Sequence, residues 1–158
     1  MVGEMNRQAF QPSVSKIGNL DAKYMILIAY FGGVLLGFIP GAQYASWVVP
    51  LIIFFVDKDN KLIAFHAMQS LLLEVIAAIV YIILAIVSFA AVASMAVNPL
   101  TWGAGLGATL AMGAIAIVVA VVIFICAVLA AIKGYKYEIY EIPLVGKWAE
   151  KIVFKTSN

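Results

Sequence analysis

Long apolar stretches broken by short polar ones dominate the chain. Four apolar segments stand out, at residues 24–39, 44–56, 62–97 and 103–132. Crossing the hydrocarbon layer of a bilayer takes roughly 20 apolar residues at ~1.5 Å of rise each. The third and fourth segments exceed that length. The first is slightly short, and the second is shorter still and contains Pro50. The pattern predicts an all-α polytopic membrane protein with four transmembrane helices, the second one short. A tilted short crossing and a re-entrant hairpin built from the first two segments both fit it. Asn98-Pro99 ends the third helix, because proline restricts the residue before it and cannot continue a helix.

A fifth pattern closes the chain. In "KGYKYEIYEIPLVGKWAEKIVFK", Pro143 suits the first turn of a helix, and Leu144, Val145, Trp148, Ala149, Ile152 and Val153 recur at helical spacing. Lys147, Glu150, Lys151 and Lys155 fill the other positions. This predicts an interfacial amphipathic helix, with Trp148 at headgroup level. A helix docked on the protein's own charged turn carries the same pattern. The expected organisation is a polar tail over residues 1–20, a four-helix membrane domain over 21–133 and an amphipathic tail over 134–158.

Composition and charge narrow the class. Of 158 residues, 65% are hydrophobic and 11% charged, against about a quarter charged in soluble domains. A net charge of +2 offers no basic surface for nucleic acid. One cysteine, Cys126, and one histidine, His66, leave no basis for a disulfide framework, a metal site or a cofactor. The first apolar run has no small-x-small cleavage site behind it, so it reads as a retained helix rather than a signal peptide. All ten basic residues fall in the N-terminal tail, the turn at Lys58 and Lys61, and the tail from Lys133 onward. Since cytoplasmic loops hold the excess Lys and Arg, both termini are expected in the cytoplasm.

The third segment has two unlike sides. On a helical wheel His66, Ser70, Glu74, Tyr81 and Ser88 share one sector, with Gln69 beside it, while Val75, Ile79, Ile82, Ile83, Ile86 and Phe89 lie opposite. In lipid, the polar side faces other helices. Glu74 is the costly residue and needs a protein partner or water. Polar glue between helices and a titratable lining for ions or protons, using Glu74 and His66, are the two readings of this face. In the first segment Ala29, Gly33, Gly37 and Gly41 repeat every fourth residue, a small-residue ridge that lets backbones approach closely.

Two stretches carry a resemblance. "PLIIFFVDKDNKLIAFHAMQSLLL" contains a Phe65-His66-Ala67-x-Gln69 core, and "KGYKYEIYEIPLVGKWAEKI" contains Pro143-Leu144-Val145-Gly146. With "NLDAKYMILIAYFGG", they resemble a family of small four-helix membrane proteins of bacteria and archaea. That family is similar to the twenty-kilodalton subunit of the chloroplast inner-envelope import translocon. The resemblance covers most of residues 19–152. It implies the four-helix layout, residence in a prokaryotic cytoplasmic membrane and a link to protein transport, and it brings no catalytic residue. The expected function is therefore a non-enzymatic membrane subunit that acts through helix–helix assembly, as a homo-oligomer or within a larger membrane complex. The alternative is a small ion or proton channel or carrier.

Overall fold

In a computed structural model of the chain, which describes residues 10–36 and 38–155, the described residues are helical with one isolated antiparallel bridge, Val14 to Asp21. Five α-helices follow in order: α1 Ala22–Leu36, α2 Val48–Val56, α3 Lys61–Val97, α4 Trp102–Tyr135 and α5 Val145–Lys155. Short 3-10 turns at Ala42–Ala45 and Pro99–Thr101 precede α2 and α4. Two stretches, Lys61–Val97 and Pro99–Tyr135, are long and apolar enough to cross a membrane. The first two segments fall short of that: α1 has 15 residues and α2 has 9, ~22 Å and ~14 Å at ~1.5 Å per residue.

Local chemistry sets the helix ends. Asp21 precedes α1 and accepts from the Lys23 backbone N–H at 3.1 Å. Asn60 precedes α3 and accepts from that of Ile63 at 3.3 Å. Both are N-caps that occupy donors the helix leaves unpaired. The end of α4 is tied off twice, by Glu138 N–H to the Lys133 carbonyl (3.0 Å) and Tyr137 N–H to the Gly134 carbonyl (2.9 Å). This is a Schellman closure, which puts Tyr137 in the left-handed region at φ 59°. A side chain there costs roughly 1–2 kcal/mol. Tyr137 earns its place through its hydroxyl, which donates to both Asp21 carboxylate oxygens at 2.6 and 2.7 Å.

The chain divides into two compact units: residues up to Glu74 together with those from Cys126 on, and Val75–Ile125. In the first, Ala22, Met25 and Ala29 of α1 pack with Ile53 of α2 and Ile63 and Ala67 of α3. Its charged segments interlock beside this core. Buried Asp57 accepts from the Ser15 hydroxyl and, at 2.7 Å, from the Lys16 backbone N–H. Lys16 pairs with Asp59 at 2.5 Å, Asn60 donates to the Ser13 hydroxyl at 2.9 Å, and the Phe10 N–H donates to the Tyr137 carbonyl at 2.7 Å. α5 buries Val145, Ala149 and Val153, sets Phe154 6.3 Å from the Phe65 ring, and receives Lys61 Nζ on the Val153 carbonyl at 3.1 Å.

The second unit is a hairpin of α3 from Val75 on and α4 up to Ile125. A single seam is withdrawn from the surface: Ala77, Leu84, Ser88, Ala91 and Met95 on one arm, and Gly105, Met112, Ala116, Val119 and Ile123 on the other. A Cβ on Gly105 would stand 2.5 Å from Met95 Cγ, which explains the glycine there. The faces away from the seam are apolar and exposed, among them Ile79, Ile82, Ile86 and Phe89.

The Tyr137–Asp21 bond is the clearest target for a pH experiment. It holds the Asp21 carboxyl below the usual carboxylate range and pushes the Tyr137 phenol up to about 12. A carboxyl with a depressed folded-state pKa stabilises above its unfolded value, and that stabilisation is lost as pH falls through the folded value. Tyr137→Phe is expected to lower the melting temperature at neutral pH and to converge with the wild type in acid. Paired melting curves from neutral pH down through the carboxylate range check this, and a gap that persists in acid contradicts it.

Candidate functional site

The polar residues of α3 do not form one site. They fall into three places, and the first is a closed hydrogen-bond relay in which every group is buried or backbone. His66 and Gln69 are fully buried on one side of α3, and Tyr30 comes from α1. Tyr30 Oη lies 3.2 Å from His66 Nδ1 and accepts from Gln69 Nε2 at 2.8 Å. The remaining partners are backbone groups of the irregular segment between α4 and α5. His66 Nε2 lies 3.0 Å from the Glu138 carbonyl, Gln69 Nε2 donates to the Tyr140 carbonyl at 3.0 Å, and the Ile142 N–H donates to Gln69 Oε1 at 3.1 Å.

Donor and acceptor counts assign the protons. A carbonyl only accepts, so His66 Nε2 carries the hydrogen, and Nδ1 is then the acceptor for the Tyr30 hydroxyl. Both amide hydrogens of Gln69 are used, one on Tyr30 and one on Tyr140. Among the described residues no buried side-chain nitrogen or oxygen lacks a partner. Two glycines admit the backbones that complete the relay. A Cβ on Gly134 would stand 2.5 Å from Ile26 Cγ2 and 3.2 Å from His66 Nε2. One on Gly146 would stand 2.6 Å from the Glu141 Cα and 2.9 Å from Gln69 Oε1.

Ser70, also buried, donates separately to the Ala29 carbonyl at 2.7 Å. Glu74 forms the second place: half-buried, it accepts from the Ser46 hydroxyl at 3.2 Å beside Gly33, where an added Cβ would meet Ser46 Cβ at 2.9 Å and Glu74 Oε1 at 3.4 Å. The third lies in the hairpin unit, where the Tyr81 hydroxyl reaches the Ala116 carbonyl at 3.5 Å and Ser88 sits half-buried in the seam. Among the described residues no three His, Cys, Asp or Glu side chains come together.

The small-residue repeat of the first segment does not run as one ridge. α1 ends at Leu36, so Ala29 and Gly33 lie on a helix while Gly41 is an exposed turn glycine at φ 87° with open space around it. Gly37 lies outside the described residues. Pro143 precedes α5 instead of opening it, because Leu144 takes a left-handed φ of 69° and the helix starts at Val145. Trp148 and Ile152 are exposed, at the edge of the face that α5 docks through Val145, Ala149 and Val153. Sequence reasoning missed Tyr30 and the backbone of residues 138–142. The signal for Tyr30 was its place one residue beyond Ala29 on the inward side of α1.

Cutting the relay leaves buried groups unpaired, at a cost of ~1–3 kcal/mol each. Gln69→Leu strands the Tyr140 carbonyl and the Ile142 N–H and is expected to destabilise by ~3 kcal/mol or more. Tyr30→Phe is expected to cost ~1–3 kcal/mol. The double variant should fall short of the sum, since both remove the shared Tyr30–Gln69 bond. Equilibrium unfolding in mild detergent checks all three, and strict additivity contradicts a connected relay.

Residues 21–149 match the family model described as the magnetosome magnetite crystal formation protein family, MamF/MmsF. No curated protein and no solved structure matches the chain. The match agrees with the expected small membrane protein family, while no comparison supports a likeness to the import-translocon subunit, a translocation role or a channel role. It takes in α1 to α4, the relay and the first turn of α5, so the chain belongs to the MamF/MmsF magnetosome magnetite crystal formation protein family.

Proposed function

We propose that this chain is a non-enzymatic integral membrane protein that contributes to its family's role, magnetosome magnetite crystal formation, by assembling helices within the magnetosome membrane. The observation that carries the reading is the distribution of charge between the two units. Val75–Ile125 contains no Asp, Glu, Lys, Arg or His. Its two arms, residues 75–97 and 102–125, are each ~35 Å long at ~1.5 Å per residue, enough to cross ~30 Å of hydrocarbon. Every charged residue of the chain belongs to the other unit.

The termini belong on one face. The three segments holding all ten basic residues are the N-terminal tail with the first turn of α1, the 57–61 turn and the region from Lys133 onward. Contacts between them support a shared side, through Lys16 to Asp59, Phe10 to Tyr137 and Lys61 to Val153. By the distribution of basic residues that side is cytoplasmic. The shortness of α1 and α2 favours a re-entrant hairpin over two full crossings. A chemical role finds little support in the relay, because His66 and Gln69 spend their hydrogen-bonding capacity on structural partners.

Single cysteines at Val14, Leu100 and Lys147, all exposed, test the threading in a Cys126→Ser background. Impermeant thiol reagents are expected to label the Val14 and Lys147 positions from one face and the Leu100 position from the other. Labelling of the two tail positions from opposite faces contradicts the topology. Crosslinking in native membranes is expected to give species larger than one chain, and recovery of monomer alone contradicts assembly.

A further inference from the structure

A groove of about 230 Å³ runs along the first unit, between Leu27 and Phe31 of α1 and Val128, Ala131 and Ile132 of α4. Its walls are apolar for most of their length. At one end the character changes, where Tyr135 and Lys136 line it. Lys23 Nζ stands 5.1 Å above the Tyr24 ring and 5.4 Å above the Tyr135 ring, and those two rings meet edge to face at 6.3 Å. The groove thus ends at Tyr135 and Lys136, with Lys23 and Tyr24 packed against the Tyr135 ring.

The lysines there are loosely committed. Lys136 makes no ion pair among the described residues, and Lys23 has only Asp21, at 3.8 Å. Asp21 itself is engaged by the Tyr137 hydroxyl. Lys133 is otherwise occupied by Glu138 at 2.7 Å. An apolar trough capped by cations and by tyrosines, which favour headgroup level, matches one kind of molecule in both halves: a long hydrocarbon tail with an anionic head.

We propose that this groove binds an anionic phospholipid, with one acyl chain along Leu27, Phe31, Val128 and Ile132 and the headgroup phosphate between Lys136 and Lys23. The inference rests on the membrane-embedded reading. It goes beyond it by giving the protein a defined lipid ligand, one that ties α1 to α4 within the charged unit.

The full chain in mild detergent, titrated with phosphatidylglycerol or phosphatidylcholine and examined by native mass spectrometry, is the test. The wild type is expected to retain one phosphatidylglycerol in preference to phosphatidylcholine. Each lysine removed from the groove should weaken retention about fivefold. Lys23→Gln with Lys136→Gln should therefore abolish the preference, whereas Lys147→Gln with Lys151→Gln, the same charge change on exposed positions of α5, should keep it. No preference in the wild type, or equal loss in both double variants, overturns the proposal.

Val128→Phe keeps both lysines and fills the trough, so it serves where the lysine variant does not fold. It is expected to lose the bound lipid, and unchanged retention overturns the proposal. Competition by glycerol phosphate as strong as by the lipid would show a site for a free phosphate and overturn it too. A chain that fails to incorporate into lipid nanodiscs overturns the membrane reading along with the site, while one that incorporates and shows no lipid preference overturns the site alone.

Discussion

A buried amide with three partners organises the charged unit. Gln69 sits on α3 and touches α1 through Tyr30 and the chain beyond α4 through Tyr140 and Ile142. A polar group taken out of water without partners costs several times what a formed hydrogen bond contributes net. The segment after α4 has the converse need. It is neither helix nor sheet, so its carbonyls and N–H groups find no partners within a regular element. Each side answers the other's deficit, and His66 extends the arrangement to the Glu138 carbonyl. Gly134 and Gly146 keep the space open through which these groups meet.

This constraint explains why the chain concentrates its polar chemistry. With the irregular segment anchored, α5 docks through Val145, Ala149 and Val153, and the tails close over Asp57 and Tyr137. The hairpin of residues 75–125 carries almost none of this, and its hydrogen bonds beyond the helices cluster near the 98–102 turn, as in Trp102 Nε1 to the Met95 carbonyl at 2.8 Å. Such a division suits a member of the magnetosome magnetite crystal formation family with two helices long and apolar enough to cross a membrane: one unit is uncharged enough for lipid, and the other holds every charged residue. Glu74, the last residue of α3 in the charged unit, is met by the Ser46 hydroxyl and, among the described residues, by no cation.

The helices were legible because their signals are local. Uninterrupted apolar runs mark α3 and α4, Asn98-Pro99 marks the break between them, and the observed ends differ from the expected ones by one residue at the starts of α3 and α4 and by three at the end of α4. The end of α1 was less so, since the apolar residues up to Ile39 read as continuing helix, whereas the helix ends at Leu36. Spacing alone puts His66 and Ser70 on one side of α3, with Gln69 beside them. Their partners were not legible, because Tyr30 and the Glu138 carbonyl lie 36 and 72 residues away and a backbone carbonyl leaves no mark in a sequence. The same applies to Tyr137, whose left-handed backbone and bond to Asp21 span 116 residues.

His66 is the chain's single histidine, so selective ¹⁵N labelling of the imidazole reports on the relay without assignment. At neutral pH, the relay predicts a ring protonated at Nε2, facing the Glu138 carbonyl, and bare at Nδ1, facing the Tyr30 hydroxyl. In Tyr30→Phe, the Nδ1 resonance should move while Nε2 keeps its hydrogen. A ring protonated at Nδ1, or one averaging rapidly between the two tautomers in the wild type, would contradict the account.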